Sequence, residues 1–84
     1  MKYRSRTDLI AAILSSAAGE KGALLTHIMY TSFLSYPQIK QFLQFLIEHG
    51  LIEHNELNKV YKITAKGFQY LELYKQIDEL VKRQ

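Results

Sequence analysis

The sequence predicts a mainly α fold with one small β-hairpin, because its hydrophobic periodicity changes once along the chain and then changes back. Apolar residues recur at helical spacing up to about residue 50, two short segments of strand type follow within 51–64, and helical spacing resumes at residue 65. Two short helices, a third longer helix and a hairpin directly behind it are the order of elements in a winged helix-turn-helix. The prediction is therefore an α+β winged helix-turn-helix with an extended C-terminal helix.

Length and composition restrict the class of protein. The chain has 84 residues, which predicts one domain over residues 1–84, and 48% of them are hydrophobic, enough for a packed core. Cysteine is absent, which excludes disulfides and thiolate metal sites. The net charge of +3 favours a polyanionic partner. The first residues lack the apolar core of a signal peptide and no apolar run reaches membrane length, so we expect a soluble cytoplasmic protein.

The predicted recognition helix, residues 35–49, has the clearest local signals. Ser35 followed by Gln38 has the form of a capping box, and Pro37 lies in the first turn, where a missing N–H costs little. Gly50 is the expected C-terminal stop. The buried stripe is expected to contain Ile39, Phe42, Leu43, Leu46 and Ile47. The opposite face is expected to carry Gln38, Gln41, Gln44, Phe45 and Glu48, with Lys40 on the flank.

The helices before it complete the predicted helix-turn-helix. The first, residues 6–18, is capped by Ser5, and the second covers residues 24–31. Phe33 and Leu34 are expected to fix the following turn to the core. Before the first helix, Lys2, Arg4 and Arg6 form a basic segment that is either a solvated tail or an arm that contacts phosphates.

The predicted wing, residues 51–64, is a two-stranded hairpin with a loop at residues 55–59. Alternation places Tyr61 and Ile63 toward the core and Lys62 outward. Lys59 and Lys62 are the cations of the wing, and Glu53 and Glu56 oppose them.

The predicted C-terminal helix, residues 65–82, has two apolar faces, whereas a helix in a small domain usually needs one. The second face repeats every three or four residues, as in a heptad seam. Either one wide face folds back onto the first helix, or the second face pairs with another subunit. The residues of this predicted dimer interface are Tyr70, Leu73, Tyr74, Ile77, Leu80 and Val81.

No catalytic or cofactor motif is present. The sequence has no glycine-rich phosphate loop, nucleophile elbow or paired catalytic carboxylates, which indicates a non-enzyme without a cofactor. His49 and His54, with Glu48 and Glu53 nearby, could be drawn as a metal site. Their spacing crosses a helix end and a glycine, so convergence on one ion is disfavoured.

Two stretches resemble a known family. Residues 26–40 resemble the pattern T-x-I-M-Y…L-S-Y-x-Q-L-K, and residues 50–67 resemble G-L-[IL]…Y-x-x-T-x-K-G, of a widespread archaeal winged-helix DNA-binding family. That family includes small chromatin-associated proteins and predicted transcriptional regulators. The resemblance covers roughly residues 5 to 80 and implies a homodimer paired through the C-terminal helix.

The leading hypothesis is a homodimeric, nucleoid-associated protein that binds double-stranded DNA and regulates transcription or shapes DNA. The alternatives are a winged-helix protein-interaction module that does not bind DNA and an effector-binding regulator with a ligand pocket. The first is favoured by Phe45 on the outward face, by the acidic group Glu48, Glu53 and Glu56, and by the weak overall charge. The residues predicted to contact DNA are Arg4, Arg6, Ser35, Tyr36, Gln38, Lys40, Gln41, Gln44, Asn58, Lys59 and Lys62.

Overall fold

The computed structural model describes residues 5–82, which form four α-helices and one three-stranded antiparallel sheet. This confirms the predicted α+β winged-helix fold with a long C-terminal helix. Lys2 and Arg4 of the predicted basic arm lie outside the described residues. The elements in chain order are α1 (Arg6–Ser16), β1 (Ala23–Leu24), α2 (Leu25–Ser32), α3 (Tyr36–Glu48), β2 (Ile52–Asn55), β3 (Val60–Ile63) and α4 (Ala65–Lys82).

The sheet contains one strand more than the predicted hairpin. Strand β3 lies between β1 and β2, and β1 adds the pairs Ala23↔Tyr61 and Leu24↔Val60. Gly22 precedes β1 with φ of 77°, and a Cβ there would lie 2.5 Å from the Tyr61 carbonyl oxygen. The chain therefore needs glycine at this position to enter the sheet.

The core lies between the first three helices and the inner face of the sheet. Ile13, Leu14, Ile28, Ile39 and Leu46 are fully buried in it. On β3, the side chains of residues 61 and 63 point inward and that of residue 62 points outward, as their alternation predicts. The core and the sheet thus pack against one side of α3, and the opposite side of this helix is exposed.

The predicted role of Phe33 was wrong. Its side chain is 84% exposed, and its φ of 58° places it in the left-handed region. The Phe33 and Leu34 amides donate to the carbonyls of Tyr30 and Met29, which is a Schellman-type helix end. This geometry reverses the chain and directs Phe33 to solvent, so that Leu34 alone of the two packs against the core.

Two residues at the edges of the apolar stripe of α3 were exchanged in the prediction. Phe45, expected on the outward face, is half-buried against the core, whereas Ile47, expected inside, is 41% exposed. Helical periodicity alone does not decide positions at the edge of a stripe. Arg6 of α1 covers the Phe45 ring, a tertiary contact that helical periodicity does not reveal.

Candidate nucleic-acid interface

The N-terminus of α3 is held by the predicted capping box. The Ser35 hydroxyl accepts from the Gln38 amide at 3.4 Å, and Gln38 Oε1 accepts from the Ser35 amide at 3.0 Å. The Ser35 hydroxyl and Gln38 Oε1 also lie within hydrogen-bond distance of each other at 3.1 Å. Gln38 was predicted to face base edges. Its carbonyl oxygen is engaged by the cap, so its amide nitrogen is the donor suited to a base.

The outward face of α3 is a strip of glutamines. Gln41 and Gln44 are both exposed. The amide of Gln44 donates to Glu48 Oε2 at 3.3 Å, which ties it to a carboxylate at the C-terminal end of the helix. Gln41 lies between Gln38 and Gln44 in the strip. Because the Glu48 carboxylate is at the C-terminal end, the N-terminal half of α3 is better suited to a polyanion.

Arg6 lies on one flank of this strip. Its guanidinium carbon is 5.2 Å from the ring centroid of Phe42 and 4.6 Å from that of Phe45, and these cation–π contacts fix the side chain on α3. Arg6 and Gln41, with Phe42, line one small cavity of about 240 Å³. The structure therefore brings a cation from α1 next to the glutamine predicted to read bases.

Lys40 lies on the other flank, with its ammonium 5.8 Å from the ring centroid of Tyr36. Tyr36 is 55% exposed at the start of the helix, next to the exposed Ser35. No Asp or Glu occurs from residue 21 to residue 47, a stretch that includes all of α2 and most of α3. The helix-turn-helix is thus a surface of hydroxyls and amides with cations on both flanks and no carboxylate before Glu48, the last residue of α3.

The wing is less basic than the predicted contacts suggest. Asn58 Oδ1 accepts from the Val60 amide at 3.4 Å, so this side chain helps to hold the turn. Lys62 is exposed but lies directly opposite Glu53 in the β2–β3 register. Lys59 has φ of 62° in the exposed turn and is the wing cation best placed to meet a phosphate.

Sequence reasoning missed the role of Lys66. Its ammonium donates to the His49 carbonyl at 2.8 Å and so neutralises the C-terminal end of α3. His49 Nδ1 lies 2.9 Å from the Phe45 carbonyl oxygen, and His54 stacks on Tyr61 with ring centroids 4.3 Å apart. Within residues 5–82, no three histidine or carboxylate side chains form a group suited to a metal ion.

The predicted dimer face of α4 is divided in two. Tyr70 donates to the Thr7 carbonyl at 3.3 Å and Tyr74 donates to the Asp8 carboxylate, so both tyrosines attach α4 to α1 of the same chain. The other four residues are 60–72% exposed: Leu73, Ile77, Leu80 and Val81. The two tyrosines therefore pack back onto α1, as one alternative for this helix expected, whereas the four aliphatic side chains face outward.

The hydrogen bond from Tyr74 to Asp8, one of the contacts between α4 and α1, requires a protonated Tyr74. Its hydrogen bond to Asp8, followed by burial and the nearby negative charges, raises the pKa of Tyr74 from 10.0 to about 12. Burial, with a smaller effect of Asp8, also raises the pKa of Tyr70. Because the pKa of Tyr74 is higher in the folded than in the unfolded chain, protonated Tyr74 contributes its full stabilisation below pH 10, where the unfolded tyrosine is also protonated. This contribution is lost as the pH rises to about 12.

Replacing Tyr74 by phenylalanine is expected to lower the free energy of unfolding by about 1 kcal/mol at neutral pH, because the hydrogen bond to Asp8 is lost. The difference from the original chain should shrink as pH rises from 10 towards 12. Urea unfolding of both proteins below pH 10 and near pH 12 measures this. A difference that stays constant over that range would show that Tyr74 ionisation does not affect stability.

The structure and the comparisons with known proteins lead to the same class of protein. A family model described as a winged helix-turn-helix matches residues 3–82, nearly the whole chain. No curated protein matches the chain. Across residues 5–82, no helix has both the length and the apolar composition needed to cross a bilayer.

Proposed function

Because the chain belongs to the winged helix-turn-helix family, we propose that it binds double-stranded DNA as a homodimer and regulates transcription or shapes DNA at the nucleoid. The fold is typically a DNA-binding one without enzymatic activity. The observation that supports the proposal most strongly is the exposed N-terminal half of α3. There Gln41 lies between Arg6 and Lys40, in a helix-turn-helix whose only carboxylate is Glu48, at the C-terminal end of α3.

The N-terminal half of α3 enters the major groove in this proposal, since a helix with exposed amide side chains can read donors and acceptors there. The side chain of Gln41 and the side-chain amide nitrogen of Gln38 face base edges, while Ser35 and Tyr36 contact phosphate. Arg6 and Lys40 then meet the phosphates on either side of the groove. Gln44 lies near the end of the contact because Glu48 already binds it.

A protein-interaction module remains the second candidate function. The carboxylates of Glu53 and Glu56 on the wing and the exposed side chain of Phe33 favour it. Phe45 does not favour such a module, because Arg6 covers its ring and the residue is half-buried. We therefore keep DNA binding as the leading function.

The homodimer in the proposal uses the exposed apolar stripe of α4. Leu73, Ile77 and Leu80 repeat at four and three residues, which is the spacing of a coiled-coil seam. An apolar groove of about 600 Å³ runs beside this stripe, lined in part by Tyr70 and Tyr74. Helix α4 has 18 residues, and the exposed stripe at residues 73–81 offers about two and a half turns for paired contacts with the same helix of a second copy.

Replacing Ile77 by glutamate is expected to convert the dimer into a monomer, because two carboxylates would be brought into an apolar seam. Lys75→Glu, which adds a carboxylate about half a helical turn away, is the matched control and should remain a dimer. Sedimentation equilibrium measures the mass of each variant. A dimer mass for Ile77→Glu would move the interface away from this stripe.

Fluorescence anisotropy with a labelled random-sequence duplex tests DNA binding itself. If about 4–6 phosphates are neutralised per protomer, affinity should fall a hundredfold or more between about 50 and 200 mM salt. The mass in solution is measured under the same conditions. Strongly salt-dependent binding by a species of dimer mass supports the proposal, whereas a chain that does not bind at low salt would favour the protein-interaction module.

A further inference from the structure

Leu57, at the tip of the wing, is the most exposed large hydrophobic residue among residues 5–82. Its side chain is 96% exposed, whereas Leu51, at the base of the same hairpin, is 9% exposed. Burial of Leu57 against its own core is not possible, because the last pair of the β2–β3 ladder, Asn55↔Val60, lies before the tip. The fold itself therefore gains nothing from an apolar side chain here.

The turn that carries Leu57 is fixed by local hydrogen bonds. Asn55 Oδ1 accepts from the Leu57 amide at 2.9 Å and from the Asn58 amide at 3.4 Å, and the Lys59 amide donates to the Asn55 carbonyl at 2.8 Å. Lys59 closes the turn in a left-handed conformation, which costs energy for any residue other than glycine. The tip thus presents one leucine, next to an asparagine and a lysine, on a braced two-stranded ribbon.

We propose that Leu57 is an apolar wedge that enters the minor groove and bends the DNA. This inference rests on the proposed binding to duplex DNA and assigns the wing tip a role in it. Proteins that bend DNA from the minor groove insert single aliphatic or aromatic side chains between base steps. A narrow hairpin tip fits the minor groove, which is about 6 Å wide, better than it fits the major groove.

The neighbours of Leu57 suit the same site. Lys59 supplies a cation, and narrow A·T-rich minor grooves attract cations through their enhanced negative potential. The wing follows directly from α3, since β2 begins at Ile52 and α3 ends at Glu48. One protomer can therefore read the major groove with α3 and distort the adjacent minor groove with its wing, with a preference for flexible pyrimidine–purine steps.

Leu57→Lys tests the wedge because it removes an apolar side chain and adds a positive charge, and these two changes have opposite effects on affinity for DNA. A tip that only lies near phosphates gains affinity from the added cation. A wedge loses about tenfold in affinity, the effect of withdrawing one buried aliphatic side chain. Leu57→Met keeps an apolar side chain of similar volume and should bind within about twofold of the original chain.

The readouts are anisotropy, for affinity, and energy transfer between dyes on the two ends of a short duplex, for bending. Expected results are weaker binding and reduced end-to-end energy transfer with Leu57→Lys, and unchanged values with Leu57→Met. Glu56→Gln, which removes a negative charge from the same turn, should raise affinity without altering the bend.

Equal or tighter binding by Leu57→Lys, with energy transfer unchanged, overturns the wedge and leaves the proposed DNA binding intact. A wild-type chain that does not bind the duplex overturns both. Thermal unfolding of each variant separates these outcomes from misfolding, and an exposed substitution of this kind should change stability by no more than about 0.5 kcal/mol.

Discussion

Replacing Gly67 by alanine is expected to lower the melting temperature by roughly 15 °C, although alanine is the better helix former. A Cβ at this position would lie 2.3 Å from the Leu51 carbonyl oxygen and 2.6 Å from Ile63 Cγ1. The Leu51 oxygen cannot simply move away, because it also accepts a hydrogen bond from the Thr64 amide. Overpacking of this kind costs about 3 kcal/mol, a large part of the stability of a small domain.

Gly19→Ala is the matched control, since no atom beyond the two adjoining residues lies within 4 Å of a Cβ built there. This variant should unfold within about 0.5 kcal/mol of the original chain. Differential scanning calorimetry compares the three proteins directly. If Gly67→Ala were as stable as the original, the close approach of α4 to Leu51 and Ile63 would not be needed for the fold.

The double variant Lys40→Glu/Gln41→Glu is expected to lose at least about a hundredfold in affinity for duplex DNA, because it places two carboxylates where phosphates would lie. Both side chains are exposed, so the fold should be retained. Anisotropy gives the affinity and circular dichroism the melting temperature. Undiminished binding by the folded variant would remove α3 from the DNA interface.

Lys75→Glu/Gln76→Glu is the control for net charge. The same pair of residue types occurs there on α4, and both side chains are exposed. This variant carries the same change in net charge but leaves α3 untouched. Its affinity should fall far less than that of the α3 variant, because the distance of its new charges from the duplex weakens their effect through screening.

Local signals explain why most of the fold could be predicted. The capping box at Ser35 and Gln38 uses residues three apart, and the alternation around Lys62 uses neighbours in one strand. Strand β1 could not be found in this way, because two residues show no period and their pairing with β3 is a tertiary contact. Phe33 was misplaced for a related reason, since its orientation follows from a left-handed backbone that glycine would ordinarily signal.

The candidate interface could be predicted only in part. The glutamine strip follows from helical periodicity, but the position of Arg6 over Phe42 and Phe45 does not, because α1 and α3 are distant in sequence. The division of the apolar face of α4 is also tertiary. Tyr70 and Tyr74 have hydroxyls that reach α1, whereas Leu73 and Ile77 lie on the side that α1 does not cover.

Amide chemical-shift mapping of the labelled protein with a short duplex tests most directly whether the outward face of α3 binds DNA. The account predicts that the largest shifts fall on residues 35–44 and on the wing turn at residues 55–59. Residues 73–80, which the proposed dimer covers, should shift little. Shifts concentrated on α4 or on the groove between α1 and α4, with α3 unchanged, would contradict it.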